Sequence, residues 1–272
     1  MTTSKSYEVS LEHIDVKSEL HRLHNLANQN WEKEARNLKE FGLQDGMSIL
    51  EVGSGPGFVT ELLSSLVPNG SIISVEIDPD LIKYSEQYLK DKASSQYRIV
   101  EGSVMDMDFP DNTFDFVVAR LLIRHLPDPI GAVKEIFRVL KPGGKLAITE
   151  FDYGIPPISD PDVPEGELIR EKAMYAHKAR GGDPLMGRKL WRVLKASGFQ
   201  KFDLEAVVFH SGKKGIEWCY PQFDPDRALP LVKEGVISEA EMQSFRTAVE
   251  RFMSSEDPFF LWVILMSCGE KP

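Results

Sequence analysis

Three glycines, Gly53, Gly55 and Gly57, join an apolar run to an amphipathic one in SILEVGSGPGFVTELL (Ser48–Leu63). A turn almost bare of side chains between a strand and a helix lets main-chain N–H groups approach a nucleotide-like ligand. The dinucleotide fingerprint G-x-G-x-x-G does not fit, because counting from Gly53 puts Phe58 where the third glycine belongs. The pattern is E-x-G-x-G-x-G instead, led by the acidic Glu51. A second carboxylate, Glu76, follows 23 residues after Gly53 in VEIDPD. At a strand end beside such a turn, a carboxylate either accepts hydrogen bonds from both hydroxyls of a ribose or is a solvated strand-end charge. Ile77 next to it offers apolar surface to an adenine face.

These groups need a scaffold, and the chain's rhythm supplies one. Short apolar segments read as strands at Ser48–Val52, Ser71–Ile77, Tyr97–Gly102, Phe114–Arg120 and Gly144–Phe151. Helical patterns begin between them near Val59, Leu81 and Ile130. Such alternation predicts a parallel sheet covered by helices on both faces, with ligands beyond the carboxyl ends of its strands. After Phe151 the rhythm breaks in the proline-rich DYGIPPISDPDVPEG. Helices are expected over Glu167–Ala179, Arg188–Ala196, Asp226–Lys233 and Ser238–Ser254, with strands at Lys201–Phe209 and Phe259–Cys268. The reading is an α/β, Rossmann-like seven-stranded sheet with a helical cap. It divides into an N-terminal helical cover (1–42), a core (43–151) and the rest of the sheet with cap insertions (152–272).

Composition narrows the function classes. Lys+Arg 32 against Asp+Glu 42 gives a net charge of −10, which repels phosphate backbones, and nucleic acid is not expected as a partner. Cys219 and Cys268 form no metal-ligand spacing and no disulfide framework, so neither a metal nor an oxidising compartment is implied. The opening MTTSKSYEVSLEHIDV lacks the apolar core of a signal peptide. The ten-residue FFLWVILMSC is too short to span a bilayer as a helix. A cytoplasmic protein without a membrane span is expected; its oligomeric state is not legible.

The ordered set ILEVGSGPG, VEIDPDLI, MDFPDNTFDFVVAR and RHLPDPIGAVKEIFRVLKPGGKLAI resembles the class I S-adenosylmethionine (SAM)-dependent methyltransferases. The nearest likeness is to the small-molecule and ubiquinone/menaquinone-biosynthesis group, over roughly Leu43 to Phe151. The resemblance implies an antiparallel last strand, SAM as cofactor, and methyl transfer to a small-molecule acceptor. Gly53, Ser54, Gly55 and Gly57 would then form the cofactor loop. Glu51 would approach the methionine ammonium or simply orient that loop. Arg120 would pair with the methionine carboxylate or make a salt bridge at its strand end. Many members carry an acid after the third strand, where it meets the adenine amino group. This chain has Ser103, whose hydroxyl can still accept, and the backbone N–H of Val104 would face the ring.

The sulfonium methyl is already activated, so positioning and exclusion of water are the protein's main tasks. An oxygen or carbon acceptor often needs a base as well. Asp152 and His125 are the catalytic candidates, with His177 and His210 in the covering segments; no base is assigned. Tyr153, Tyr175, Trp218, Tyr220 and Phe223 line a pocket for an aromatic or apolar acceptor or form the seam of the cap. Two competing readings are a non-catalytic SAM-binding regulator and a nicotinamide-dependent oxidoreductase, the latter opposed by Phe58.

Overall fold

A computed structural model describes residues 16–272. The part of the expected N-terminal helix before Val16 lies outside the described residues. From Val16 the cover is two helices, α1 (Val16–Gln29) and α2 (Trp31–Glu40), where the sequence reads as one continuing pattern. They meet at Asn30, whose φ of −122° leaves the helical region.

Eight strands are seen among the described residues: β1 (Ser48–Val52), β2 (Ser71–Glu76), β3 (Gln96–Glu101), β4 (Phe114–Arg120), β5 (Leu140–Glu150), β6 (Ile158–Asp160), β7 (Gln200–His210) and β8 (Phe259–Glu270). The helices between and after them are α3 (Phe58–Ser64), α4 (Pro79–Leu89), α5 (Pro129–Val139), α6 (Pro164–Ala179), α7 (Leu190–Ala196), α8 (Ile216–Cys219), α9 (Leu229–Lys233) and α10 (Glu239–Met253). Strands β3-β2-β1-β4-β5 lie side by side and parallel. β8 runs antiparallel to β5, and β6 and β7 both pair antiparallel with β8. The extra strand is β6, three residues inside the proline-rich segment read as a loop.

Strand order reverses on either side of β1, so the crevice for a ligand opens at the carboxyl ends of β1 and β4. Both faces of this centre are buried. Leu50, Val117 and Leu146 pack on one side with Val133 and Ile136 of α5 and Leu190 of α7. Ile49, Phe116 and Ala147 pack on the other with Leu38 of α2 and Leu63 of α3. That explains why the strands read as near-continuous apolar runs. Helix starts follow local chemistry: the Asp78 carboxylate accepts from Asp80 and Leu81 N–H at the head of α4, and Asp128 accepts from Gly131 N–H at the head of α5. The cap has its own core, in which Ile169 of α6, Leu231 of α9 and Met242 and Phe245 of α10 meet. No described helix is long and apolar enough to cross a membrane.

Candidate functional site

All three loop glycines have positive φ, 69° at Gly53, 56° at Gly55 and 82° at Gly57, a region side chains rarely tolerate. Their surroundings differ. A Cβ on Gly53 would stand 2.9 Å from the Leu122 side chain, and one on Gly57 would stand 3.0 Å from Ser85 and 3.1 Å from Leu89. A Cβ on Gly55 would meet nothing within 4 Å. Gly53 and Gly57 therefore serve packing, while Gly55 faces open space.

The loop's amides are spent internally. Gly53 and Ser54 N–H donate to Val75 C=O, Gly57 N–H to Ser54 C=O, and Gly55 N–H to Glu76 Oε2 at 2.7 Å. Pro56 has none to give. Glu76 Oε1 accepts from Ile77 N–H at 2.8 Å and Asp78 N–H at 3.0 Å. A carboxylate offers about four acceptor positions, so one remains, on Oε2. Beside it Ile77 is 53% exposed, and the Ser54 hydroxyl is buried without a hydrogen-bond partner. Ser103 Oγ accepts from Met105 N–H at 3.2 Å, and Val104 is buried in the core.

Glu51 is not at the open face. It is buried, and its Oε2 accepts from Thr60 of α3 at 2.5 Å and from Ser74 of β2 at 2.9 Å. The carboxyl thereby ties both ends of the glycine turn together. Burial pushes it up to about 7; the two hydroxyls and Arg120 oppose that shift and the charge of Glu76 adds to it. A carboxyl whose folded pKa lies above its ordinary 4.5 keeps a proton that the unfolded chain gives up. Its stabilisation is complete below about 4.5 and is lost as pH rises through about 7. Glu51→Gln, neutral throughout, should lose less thermal stability between about pH 5 and about pH 8 than the parent. Parallel melts check this, and equal losses in the two proteins would remove Glu51 from the pH response.

Arg120 is committed elsewhere. Its fork takes both oxygens of Glu34, at 2.8 and 2.9 Å, and donates to Leu26 C=O at 2.9 Å. One guanidinium thus bridges α1 and α2 where they bend at Asn30. This is a buried salt bridge at the end of β4.

Asp152 is equally engaged. It accepts from Arg188 N–H at 2.8 Å, from the Arg188 fork at 2.7 and 2.8 Å, and from Gly154 N–H at 2.8 Å. Burial opposes its ionisation, but Arg188 and these amides outweigh it and hold the carboxyl below its usual range. These bonds fasten the loop after β5 to the turn before α7. His125 Nε2 accepts from Arg124 Nε at 3.0 Å and its ring stands edge-on to His177, 4.9 Å between centroids. Burial, then the Arg124 charge and His177, push it down to about 2, so it stays a neutral imidazole. His177 is also lowered, by burial and then Arg124, and its Nε2 lies 3.2 Å from Arg124 C=O.

The cap aromatics disperse. Trp218 packs on Phe209, Tyr220 on Phe223, and Phe223 on Phe260, forming the seam between cap and sheet. Tyr175 is 73% exposed. Tyr153 alone stays at the carboxyl end of β5, beside Phe151 and Arg124.

Residues 50–148 match the family model described as a methyltransferase domain. Over that stretch the sequence is similar to methyltransferase domains. An uncharacterized methyltransferase of Schizosaccharomyces pombe is 29% identical over 180 residues, 63% of this chain and 61% of that protein. The demethylmenaquinone methyltransferase of Geobacillus sp. (strain WCH70) is 32% identical over 114 residues, 42% of this chain and 49% of its own. The matched stretch thus covers less than two thirds of either relative. Among solved structures, a SAM dependent methyltransferase from Aquifex aeolicus shares the fold with a TM-score of 0.52 at 23% identity, over 67% of this chain and 88% of that one.

Several residues that shape this site escaped the sequence reading. Thr60 and Ser74 hold Glu51, and Glu34 holds Arg120, each through a contact with no sequence motif. Arg124 stood in RHLPDP beside the quoted His125, and Glu150 closes β5. Burial pushes the Glu150 carboxyl up to about 7, with Arg124 opposing.

Proposed function

We propose that the chain transfers the methyl group of SAM to a small molecule, with the cofactor lying across the carboxyl ends of β1 and β2. The observation that carries this reading is the open face of Gly55 beside a carboxylate with one acceptor position left. A cofactor's ribose hydroxyl would take that position, Ile77 would cover the adenine, and the orphaned Ser54 hydroxyl supplies a further polar contact. Phe58 stands where the dinucleotide fingerprint needs its third glycine, which disfavours a dinucleotide. The residues present fit SAM.

When bound, SAM supplies an electrophilic methyl group on a sulfonium. The protein's part is to aim the acceptor in line with that group and keep water out. The glycine turn is pre-set for this by Glu51, which fastens it to α3 and β2, and by Leu122, which fills the space against Gly53. Neither Asp152 nor His125 is free and basic enough to accept a proton at neutral pH. The reading therefore favours an acceptor that loses its proton to solvent or needs no base. Burial pushes the Cys219 and Cys268 thiols up to about 12, away from the thiolate form that reacts.

Calorimetry should show S-adenosylhomocysteine binding that NAD does not compete for. Tight NAD binding without S-adenosylhomocysteine binding would overturn the assignment. Label passing from methyl-labelled SAM into a metabolite mixture separates an enzyme from a non-catalytic SAM-binding regulator.

A further inference from the structure

We propose that Arg124 and Glu150 form a clamp that selects the acceptor. Its ligand is a neutral group that donates and accepts hydrogen bonds side by side, an amide or a phenolic hydroxyl, carried on an apolar ring. Calling that ligand the acceptor rests on the methyl-transfer reading; the clamp itself does not.

Glu150 is the last residue of β5 and is fully buried. Its Oε1 accepts from Arg124 N–H at 3.1 Å, while its Oε2 is buried with no hydrogen-bond partner. Arg124 lies in the 3-10 turn Ile123–His125 after β4. Its Nε comes within 3.7 Å of Glu150 Oε2, near enough for an ion pair and too far for a hydrogen bond. Nε donates instead to His125 Nε2 at 3.0 Å, and Nη1 is buried with no partner. The ion pair thus keeps one buried donor and one buried acceptor unused. Buried polar atoms are seldom left so, and a donor and an acceptor on one ion pair suit a single incoming group.

The pair is fixed in advance. Arg124 C=O accepts from Asp183 N–H at 2.7 Å and lies 3.2 Å from His177 Nε2 of α6. With its N–H on Glu150, the residue is held from β5, from α6 and from the segment after α6. The turn opens at Leu122, the side chain that fills the space against Gly53, so the pair adjoins the glycine loop. The guanidinium stands over two rings, 5.4 Å from the centre of Tyr153 and 5.5 Å from that of Phe151. Tyr153 is only partly buried, which marks the side from which a ligand enters.

A carboxylate only accepts and a guanidinium only donates. An amide answers both, its NH2 donating to Oε2 and its C=O accepting from Nη1. A phenol does so through one oxygen. An anion would meet the charge of Glu150, and a hydrocarbon would leave both atoms unpaired. Sites built on buried polar groups reject such mismatches far more strongly than apolar pockets reject a change of size.

The test titrates benzamide, phenol, benzoate and toluene into the full chain saturated with S-adenosylhomocysteine. Burial pushes the Glu150 carboxyl up to about 7, so the titrations run at about pH 8.5, where it is ionised. Benzamide, phenol or both should bind about tenfold or more tighter than benzoate and toluene, the worth of a hydrogen bond to a charged group. Benzamide alone points to an amide and phenol alone to a hydroxyl; either supports the clamp. Glu150→Gln keeps its oxygen on Arg124 N–H, which turns its NH2 into the slot and leaves two donors there. Its preference should pass to benzoate, a reversal that loss of a merely structural carboxyl would not produce. Arg124→Lys keeps the charge and loses Nη1, so benzamide and phenol should weaken by about tenfold at unchanged S-adenosylhomocysteine affinity. Thermal melts show whether the variants fold, and if neither does, the ranking on the parent protein decides. Benzoate or toluene binding as well as the better neutral probe, no binding of any probe, or a ranking that folded variants leave unchanged overturns the clamp. So does a parallel loss of S-adenosylhomocysteine affinity in Arg124→Lys, which would assign the guanidinium to the cofactor. If S-adenosylhomocysteine never binds, the methyl-transfer reading fails, and the same ranking on the unliganded chain still decides the clamp.

Discussion

Gly55→Val should give a folded protein that no longer binds S-adenosylhomocysteine, whereas Gly53→Val should lose its stability first. Both positions have left-handed backbone, so a branched side chain at either carries strain of about 1–3 kcal/mol. Only at Gly53 does packing add to it. The new Cβ would lie 2.9 Å from Leu122, and overpacking of a filled site adds about 1–3 kcal/mol more. At Gly55 nothing lies within 4 Å, so the valine methyls project into the space that the cofactor is proposed to use. Gly55→Ala is the graded control: its single methyl should shift the ligand without excluding it. A displacement on the order of 1 Å at the reacting centre costs about 100-fold in rate. Thermal melts and calorimetry on the three variants separate the two effects. Undiminished affinity in a folded Gly55→Val protein would take the loop out of the site.

The contrast between these glycines shows what could and could not be read from the chain. Their spacing announced a strand, a tight turn and a helix, because a change of hydrophobic period and a run of glycines are local signals. Strands β1 to β5 were legible for the same reason: each is a short apolar run bounded by turn residues. Which glycine faces open space was not legible. That depends on Leu122, Ser85 and Leu89, which reach the turn from elements far along the chain.

Charged side chains followed the same rule. Arg120 and Asp152 were singled out by their positions at the end of β4 and just after β5, and both stand there. Their partners, Glu34 and Arg188, come from α2 and from the turn before α7, 86 and 36 residues away. No periodicity links such pairs, so the partner of a candidate ligand or base was not legible. The break at Asn30 was hidden similarly. Apolar spacing continues across it, and the bend is held by Arg120 reaching Leu26 and Glu34 on opposite sides.

Glu76 gives the most discriminating expectation, and the structure changes its terms. A strand-end carboxylate with no internal partners would affect only cofactor binding. Here three backbone N–H groups, of Gly55, Ile77 and Asp78, depend on it. Glu76→Ala should therefore destabilise the ligand-free protein as well, by about 1–3 kcal/mol, softened where water reaches the exposed Ile77. Glu76→Gln can keep its oxygen on Ile77 and Asp78, which sets its NH2 against the Gly55 N–H. It strands one donor instead of three, so stability and affinity should both rank parent, Gln, Ala. The single free position on Oε2 makes a further distinction. It can accept from one ribose hydroxyl, so the 2′-deoxy and 3′-deoxy forms of S-adenosylhomocysteine should behave unequally. One should bind the parent protein like the full ligand, and the other should lose roughly 10- to 150-fold, the worth of a hydrogen bond to a charged acceptor. In Glu76→Ala that difference should vanish. Equal losses from both deoxy forms would mean that binding pulls Glu76 off one of its three amides to take both hydroxyls. No loss from either, in a parent protein that binds the full ligand, would leave Glu76 as a fastener of the turn and place the ribose elsewhere.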